Sequence, residues 1–109
     1  MAQFDVHRNT GKQRDAIPYV VVVQSSLYDR YRRRVVIPLV LRGKLESFAA
    51  SVYLPLNPVF KIEGVDVVLH PLEIVSVATP QLGKKAGTLA KDGGRIISAA
   101  DELLTRPWA

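Results

Sequence analysis

The stretch RRRVVIPLVL, residues 32–41, joins a run of arginines to one of the two longest apolar runs in the chain. Its apolar part is rich in valine, isoleucine and leucine, and β-branched residues are typical of strands. Pro38 has no backbone N–H to donate to a neighbouring strand, so its position indicates a bulge, a bend or an edge. The stretch therefore predicts a strand with a bulge, a bend or an edge at Pro38.

Other strands are predicted on both sides of this stretch. Phe4 and Val6 alternate at the period of a half-buried strand. YVVVV at 19–23 has too few polar residues for a strand with a solvent-facing side, so we expect it to be covered on both faces. Residues 59–62 and 65–69 predict a hairpin that turns at Glu63-Gly64. LEIVSVATP adds one more short strand, whereas residues 81–94 are interpreted as a connection.

The end of the chain has a different periodicity. In RIISAADELLTR, residues 95–106, apolar residues recur every three or four positions, which predicts a helix with one buried face. Pro107 excludes helical geometry at Arg106. A second helix, over KLESFAASV at 44–52, has weaker support. Five or six short strands and one C-terminal helix indicate a mainly β domain, a curled sheet or a partly open barrel, over residues 1–109.

Composition limits the classes of function. The chain of 109 residues has no cysteine and a formal net charge of +5, so we expect no disulfides and a partner that carries negative charge. Neither apolar run is long enough to span a membrane, and MAQFDVHRN lacks the pattern of a secretion signal. We therefore expect a soluble cytoplasmic protein.

Residues for catalysis or metal binding are sparse. His7 and His70 lie on predicted strands without other ligands at metal-binding spacing, so we expect no metal and no cofactor. Asp15, Ser25 and His70 are the residue types of a catalytic triad, but nothing near Ser25 marks it as a nucleophile. KDGGR at 91–95 could hold an anion at a helix start, although a flexible connection is the simpler interpretation.

Arginines and tyrosines alternate before the apolar stretch. Two tyrosines, Tyr28 and Tyr31, are interleaved with four arginines: Arg30, Arg32, Arg33 and Arg34. This pattern suits binding to nucleic acid, because arginine pairs with phosphate and tyrosine stacks on bases. An acidic protein partner would use the same charges. A solvated turn before a strand is the plainest alternative.

Several stretches, in the same order, resemble the CcdB toxins. They are QFDVHRN at 3–9, RRRVVIPLV at 32–40, LNPVFKIEG at 56–64 and a C-terminal helix that leads to Trp108. The resemblance implies an SH3-like barrel of about five to seven short strands with one C-terminal helix, a fold related to the barrel of MazF. It also implies that the protein forms two-fold homodimers. The implied function is that of a non-enzymatic toxin from a type II toxin–antitoxin pair, such as the pairs that maintain plasmids. Such a toxin poisons the topoisomerase DNA gyrase by binding its A subunit.

The resemblance also implies which residues bind partners. The family binds gyrase through a Trp-Gly-Ile tail, which maps onto Trp108 and Ala109, but Ala109 replaces the glycine and the final isoleucine is missing. Arg106 and Pro107 replace two apolar residues of the family. An acidic, partly disordered antitoxin neutralises the family's toxins, and here we expect it to contact Arg8, Lys12, Arg14, Arg30, Arg32, Arg33 and Arg34.

Three questions remain open at this level. Trp108 is either an anchor that a partner covers or a side chain that folds back on the helix end or the barrel mouth; the resemblance favours the anchor. A MazF-like mRNA endoribonuclease could use Arg33, Arg34 and a hydroxyl such as that of Ser25. The altered tail also permits a non-toxic adaptor that kept the barrel and lost gyrase binding.

Overall fold

Seven antiparallel strands and one C-terminal helix form the molecule in the computed structural model, which describes residues 2–47, 53 and 55–105. The strands run in the order β4-β5-β3-β2-β1-β7, and β6 pairs with β3 outside this path. The sheet curls into a half-closed barrel, which confirms the predicted mainly β, SH3-like architecture. The elements are β1 (Asp5–Arg8), β2 (Tyr19–Val22), β3 (Arg33–Leu41), β4 (Val59–Ile62), β5 (Val65–Leu69), β6 (Val75–Ala78), β7 (Lys85–Thr88) and α1 (Gly93–Leu104).

Strand β3 is the centre of the sheet because it has three partners. Its middle pairs with β2, while its other edge is shared by β6 at the start and by β5 at the end. Arg33 and Arg34 belong to this strand, opposite Ala78 and Val77, so β3 begins two residues before the apolar run at 35–41.

Pro38 lies where β3 changes partner. The N–H of Val23 donates to the carbonyl of Val35, so the pair Val20 and Pro38, three positions along, is of the type without mutual hydrogen bonds. The Pro38 nitrogen therefore faces away from β2, into the gap between the end of β6 at Val75 and the start of β5 pairing at Leu69. The missing N–H removes no ladder bond, and β3 continues through Pro38 in unbroken register with β2. Of the bulge, bend or edge expected at Pro38, the structure has a local edge.

Both faces of the central strands are buried. Tyr19, Val21, Ile37 and Leu39 point into the main core with residues of β5 and with Ile96 and Ala99 of α1. On the opposite face, two smaller apolar clusters form around alternate residues of the same strands: Val20, Val22 and Val36 in one, and Ile17, Val40, Leu45 and Val68 in the other. The prediction that the apolar run at 19–23 is covered on both faces is confirmed for Tyr19–Val22, because a strongly curled sheet folds its own connections over its outer side.

The hairpin between β4 and β5 has the predicted turn. Glu63 and Gly64 both have positive φ, at 50° and 80°, which is the geometry of a two-residue type I′ turn. Glycine is suited to this region, whereas a glutamate is strained there and must be held by contacts of its side chain.

Strand β7 was not predicted. Residues 85–88 form an edge strand on β1, with a register shift between Val6 and His7. Its sequence, KAGT, has neither alternation nor β-branched apolar residues, so pairing of its backbone with β1 defines it rather than side-chain burial.

Helix α1 begins two residues before the predicted 95 and ends at Leu104. Gly93 opens it beneath the ring of Phe4, where a Cβ atom would collide with the ring. Phe4 itself has a positive φ of 71°, and its backbone bonds to Val22 and Leu89. The second predicted helix starts as a 3₁₀ helix at Arg42–Ser47, and its continuation lies outside the described residues.

Candidate functional site: two basic loops and the end of the helix

The first basic loop, residues 8–18, starts with an arginine that is already engaged. Both carboxylate oxygens of Glu63 accept hydrogen bonds from Nη2 of Arg8, at 2.8 and 2.9 Å. The hydroxyl of Tyr19 donates to the same carboxylate at 2.6 Å. Because β1 and the β4–β5 turn lie towards opposite edges of the sheet, this contact holds the curled sheet together across its open side.

The environment of Tyr19 follows from this cluster. Burial raises the pKa of the Tyr19 hydroxyl, and the hydrogen bond to Glu63 raises it further, since a phenolate beside a carboxylate is unfavourable. The guanidinium of Arg8 lies 5.8 Å from the centre of the Tyr19 ring. Arg8 therefore contributes to the fold, whatever else it binds.

The other cations of this loop extend into solvent. Lys12 and Arg14 are exposed, and Nη1 of Arg14 makes only a long bond to the carbonyl of Gly11, at 3.3 Å. Asn9 holds the ends of the loop together, because its amide donates to the carbonyl of Ile17 and its oxygen accepts from the N–H of Gly11. Lys12 and Arg14 are thus available to a partner.

The second basic loop, residues 25–34, is built around a buried arginine. Arg34 is only 5% exposed. Its guanidinium donates to the carbonyls of Asp29 at 2.7 Å and Arg33 at 2.9 Å, and also to that of Tyr31. The carboxylate of Asp29 lies 3.7 Å from Nε of Arg34. A buried cation needs such partners, and here they are the backbone of the loop itself.

The remaining large side chains of this loop face outward. Leu27, Tyr28 and Tyr31 are 81%, 53% and 61% exposed, and the two tyrosine rings lie 6.3 Å apart. Arg30 and Arg32 are also exposed. Arg33 is exposed but bonded to the hydroxyl and the carbonyl of Ser76, at 2.7 and 2.8 Å.

One connection touches both loops, although they lie at opposite ends of β2. This crossing segment, residues 79–84, runs from β6 to β7. At its start Thr79 donates twice to the carbonyl of Arg32, at 2.9 Å in each case. Further along, Thr10 donates to the carbonyl of Gln81 at 2.7 Å, and Gly83 donates to that of Arg8 at 3.1 Å. The crossing segment thus links the two groups of cations that the sequence analysis selected.

An apolar patch, which the sequence analysis did not single out, lies beside α1. Ile97 and Leu104 are exposed and two helical turns apart, so they lie on the same side of the helix. The turn Pro71–Glu73, which contacts α1, and the residues after it add the exposed Leu72, Ile74 and Val75. The sequence signal was present in LEIV at 72–75, but we interpreted it only as a strand.

The residues considered for catalysis or metal binding do not form a site. Asp15 lies in the loop before β2 and Ser25 in the loop after it. The hydroxyl of Ser25 accepts a hydrogen bond from the N–H of Leu27. Burial lowers the pKa of His70, and the opposing effect of Glu73 is the smaller of the two. Within the described ranges, no three His, Asp or Glu side chains are grouped as metal ligands.

The KDGGR segment, at the start of α1, lines a pocket. Lys91, Asp92, Gly94 and Arg95 line a depression of about 550 Å³ together with Pro55, Pro58 and Ser98. The carboxylate of Asp92 lies 3.5 Å from Nη1 of Arg95, whose guanidinium lies 4.7 Å from the Phe60 ring centre. The acidic group at the helix start opposes a bound anion.

Trp108 and Ala109, the predicted gyrase-binding residues, lie outside the described residues, as do Arg106 and Pro107. The last described residues before this tail are Leu104 and Thr105. Leu104 is 71% exposed, and Thr105, also exposed, closes the helix through bonds from its N–H and hydroxyl to the carbonyl of Asp101. Among the described residues, no helix has the length and apolar character that crossing a membrane requires.

Comparison with known proteins identifies the family. A search of curated proteins found no match. The family model described as CcdB protein matches residues 3–105, which is nearly the whole chain but stops before the tail that carries Trp108. Membership of this family supports a toxin of a toxin–antitoxin pair that acts on gyrase. With the barrel, the C-terminal helix and this match in agreement, the chain belongs to the CcdB family.

Proposed function

We propose that this protein is the toxin of a type II toxin–antitoxin pair, and that it poisons DNA gyrase by binding the A subunit through Trp108. The observation that carries the proposal is the family match over residues 3–105 on a barrel with the family's C-terminal helix. The end of α1 is exposed at Leu104 and Thr105, which supports the proposal that a partner can reach the end of the helix. The toxin acts by binding and performs no reaction of its own.

The active form of the toxin is a homodimer. The apolar patch of Leu72, Ile74, Val75, Ile97 and Leu104 supports this, because exposed apolar side chains on neighbouring elements mark interaction surfaces. A dimer built at α1 places two tails near a two-fold axis, and gyrase is itself two-fold. Light scattering at micromolar concentration should therefore give twice the chain mass of 12.1 kDa.

A pair of neighbouring substitutions tests the surface of the dimer. Ile97→Lys places a charge inside the apolar patch, whereas Ser98→Lys places the same charge on the next exposed position of α1. We expect the first to shift the mass towards the monomer and the second to leave it unchanged. A wild-type mass near 12.1 kDa at all concentrations would contradict the dimer.

The antitoxin is an acidic, partly disordered chain that contacts the basic loops. Their exposed cations Lys12, Arg14, Arg30 and Arg32 support this, while Arg8 and Arg33 are partly engaged by Glu63 and Ser76 and Arg34 is buried. Charges at the rim of an interface mainly raise the association rate, in a way that salt weakens.

The nuclease alternative has less support than the toxin. Of its two candidate arginines, Arg33 is exposed, but the guanidinium of Arg34 is buried and donates to three backbone carbonyls. The adaptor alternative depends on the tail, and a growth experiment distinguishes it from the toxin.

The experiment expresses the protein in bacteria without an antitoxin, beside cells that carry a toxin-resistant gyrase. We expect growth arrest in the first strain only. Trp108→Ala should abolish the arrest and leave the melting temperature almost unchanged, because truncation of a central interface tryptophan costs about 2–4 kcal/mol, or roughly 30- to 1000-fold in affinity. Thr105→Ala, at the exposed helix end, is the control that should stay toxic.

Three results would contradict the proposal. Normal growth with the wild-type protein would favour the adaptor, and a Trp108→Ala protein that is destabilised but still toxic would mean that the indole packs on its own barrel. Cleavage of a long mixed-sequence RNA by the purified protein, lost in Arg33→Ala, would instead make it a nuclease.

A further inference from the structure

One end of the sheet carries five exposed cations on three neighbouring segments, a set that we name the basic end. Its members are Lys12 and Arg14 on the first basic loop, Arg42 and Lys44 on the 3₁₀ helix after β3, and Lys84 at the end of the crossing segment. The antiparallel strands place the end of β1, the start of β2, the end of β3 and the start of β7 at this same end. Among residues 9–17, 42–45 and 81–84, the one acidic side chain is Asp15.

Backbone hydrogen bonds hold the three segments together. The N–H of Leu41, the residue before the 3₁₀ helix, donates to the carbonyl of Ala16 in the first basic loop at 2.8 Å. On the other side of that loop, the N–H of Arg8 donates to the carbonyl of Lys84 at 2.9 Å. A Cβ atom at Gly83 would lie only 2.6 Å from the carbonyl oxygen of Arg8, so the crossing segment is pressed against β1. A surface fixed before binding loses less conformational entropy when a partner arrives.

The charges of the basic end are not used within the fold. None of its five cations forms an ion pair with a side chain that the structure describes. Arg14 makes only its long bond to the carbonyl of Gly11. By contrast, Lys61, Lys85 and Arg95 each have a carboxylate oxygen within 3.5 Å. The basic end therefore keeps its charge for a partner.

The basic end is also polar throughout. The large apolar side chains that are exposed in the described residues all lie on other segments. Ile17 and Leu45 are only 4% and 3% exposed, because they pack into one of the apolar clusters on the outer face of the sheet. Between the cations lie exposed neutral donors, Thr10, Gln13 and Gln81. Cations and neutral hydrogen-bond donors are the residue types that contact the phosphate backbone of DNA.

We infer that the basic end docks on the phosphate backbone of double-stranded DNA without reading its sequence. A duplex presents closely spaced charges with condensed counterions, and each lysine or arginine that pairs with a phosphate releases counterions and so favours binding. The inference goes beyond the proposed function and does not depend on it. If the protein poisons gyrase, DNA is present where it acts, and this contact would add affinity for the complex of gyrase with DNA.

Other anionic partners suit the basic end less well. A single strand is bound largely by stacking of its bases on aromatic rings, and no exposed aromatic side chain lies on residues 9–17, 42–45 or 81–84. A membrane surface or a peptide with apolar side chains needs apolar contacts, which the same residues lack. The antitoxin proposed above would compete with DNA only at Lys12 and Arg14.

Fluorescence anisotropy of a short labelled duplex, added to the whole protein at several salt concentrations, tests the inference. Five phosphate contacts should give a slope of about −4 to −5 when the logarithm of affinity is plotted against that of salt, for each protomer on the duplex. Two duplexes of unrelated sequence should bind equally, with a dissociation constant of about 10⁻⁴ to 10⁻⁶ M at physiological salt. An oligothymidylate and a polyglutamate of the same total charge should each bind at least about tenfold more weakly.

Substitutions show whether the basic end makes the contact. Lys12→Ser, Lys44→Ser and Lys84→Ser should each weaken duplex binding and reduce the size of the salt slope by about one for each bound protomer. Asp15→Ser should strengthen binding, because it removes the acidic group among the cations; a variant that only loosened the loop would not gain affinity. Lys91→Ser is the matched control, since Lys91 is an exposed lysine beyond the other end of β7 and should change neither affinity nor slope.

The outcomes separate this inference from the proposed function. Duplex binding is measured without gyrase, so it can succeed even if the protein arrests no growth, and fail even if it does. An unchanged salt slope in the three lysine variants of the basic end would overturn the inference. Tighter binding of the oligothymidylate or the polyglutamate would also overturn it, as would a loss in Lys91→Ser equal to that in Lys84→Ser.

Discussion

The two basic loops contain similar residues but use them in opposite ways. In the first, Arg8 is half exposed and reaches across the sheet to Glu63, while the loop it begins is held by the amide of Asn9. In the second, Arg34 is buried and reaches back into its own loop, with the backbone carbonyls of Asp29, Tyr31 and Arg33 as acceptors. One arginine joins distant strands and the other shapes a local surface.

This difference shows that a cluster of cations cannot be read as a binding site from charge alone. Of the seven cations that the sequence analysis assigned to the antitoxin, Arg8, Arg33 and Arg34 have structural contacts that would remain without any partner. Desolvation makes the contacts of Arg8 and Arg34 differ in their contribution to stability. Removing the acceptors of a buried guanidinium costs far more free energy of folding than removing those of an exposed guanidinium.

The largest expected effect is the loss of the buried arginine. Arg34→Met should lower the free energy of unfolding by about 2–3 kcal/mol, because three carbonyls lose their donor in a place with little water. Arg33→Met, the same change at the exposed neighbour, should cost less than about 1 kcal/mol. Urea unfolding of both variants measures the difference, and equal losses would mean that burial does not distinguish the two positions.

Loss of the Tyr19 hydroxyl should have a smaller effect on stability. Tyr19→Phe removes the hydroxyl that donates to Glu63 at 2.6 Å and should cost about 1–1.5 kcal/mol. Tyr28→Phe, which removes an exposed hydroxyl, is the control and should change stability by less than about 0.5 kcal/mol. If Tyr19→Phe is equally neutral, Arg8 alone satisfies the Glu63 carboxylate.

Alkaline pH should weaken the contact between Tyr19 and Glu63. Burial and Glu63 raise the pKa of Tyr19, so above a pH of about 10 the unfolded chain loses the phenolic proton before the folded chain does. The folded state then becomes less stable as pH rises through this window, by less than about 1.4 kcal/mol for each pH unit. Thermal unfolding of wild type and Tyr19→Phe at several pH values should give a difference that shrinks above pH 10; a constant difference would contradict the shift.

The smallest expected effect is the ion pair of the first cluster. A double-mutant cycle with Arg8→Ala and Glu63→Gln should give a coupling of about 0.5–1 kcal/mol, because both side chains are more than a third exposed even though the contact uses both oxygens. The coupling should decrease with added salt. A salt-independent coupling near that of a buried pair would remove the contrast between the two loops.

Much of the fold could be predicted because local signals and tertiary structure agree. The hairpin at Glu63-Gly64, the apolar strands at 19–22 and 35–41 and the amphipathic helix all follow from residue periodicity and turn chemistry. Strand β7 could not be predicted, because an edge strand of lysine, alanine, glycine and threonine has no pattern of its own and exists through its pairing with β1. The same holds for Arg33 and Arg34, which join β3 because β6 pairs with them.

The sequence by itself determined the mainly β class, the C-terminal helix and the excess of positive charge, since these depend on composition and on periods of two or three to four residues. Only the tertiary structure decided which cations face a partner. Arg8 and Glu63 are 55 residues apart, and Arg34 differs from its neighbour Arg33 merely by pointing to the other side of β3. A strand's alternation and the closure of a curled sheet set those directions, and neither depends on the type of charge that the residue carries.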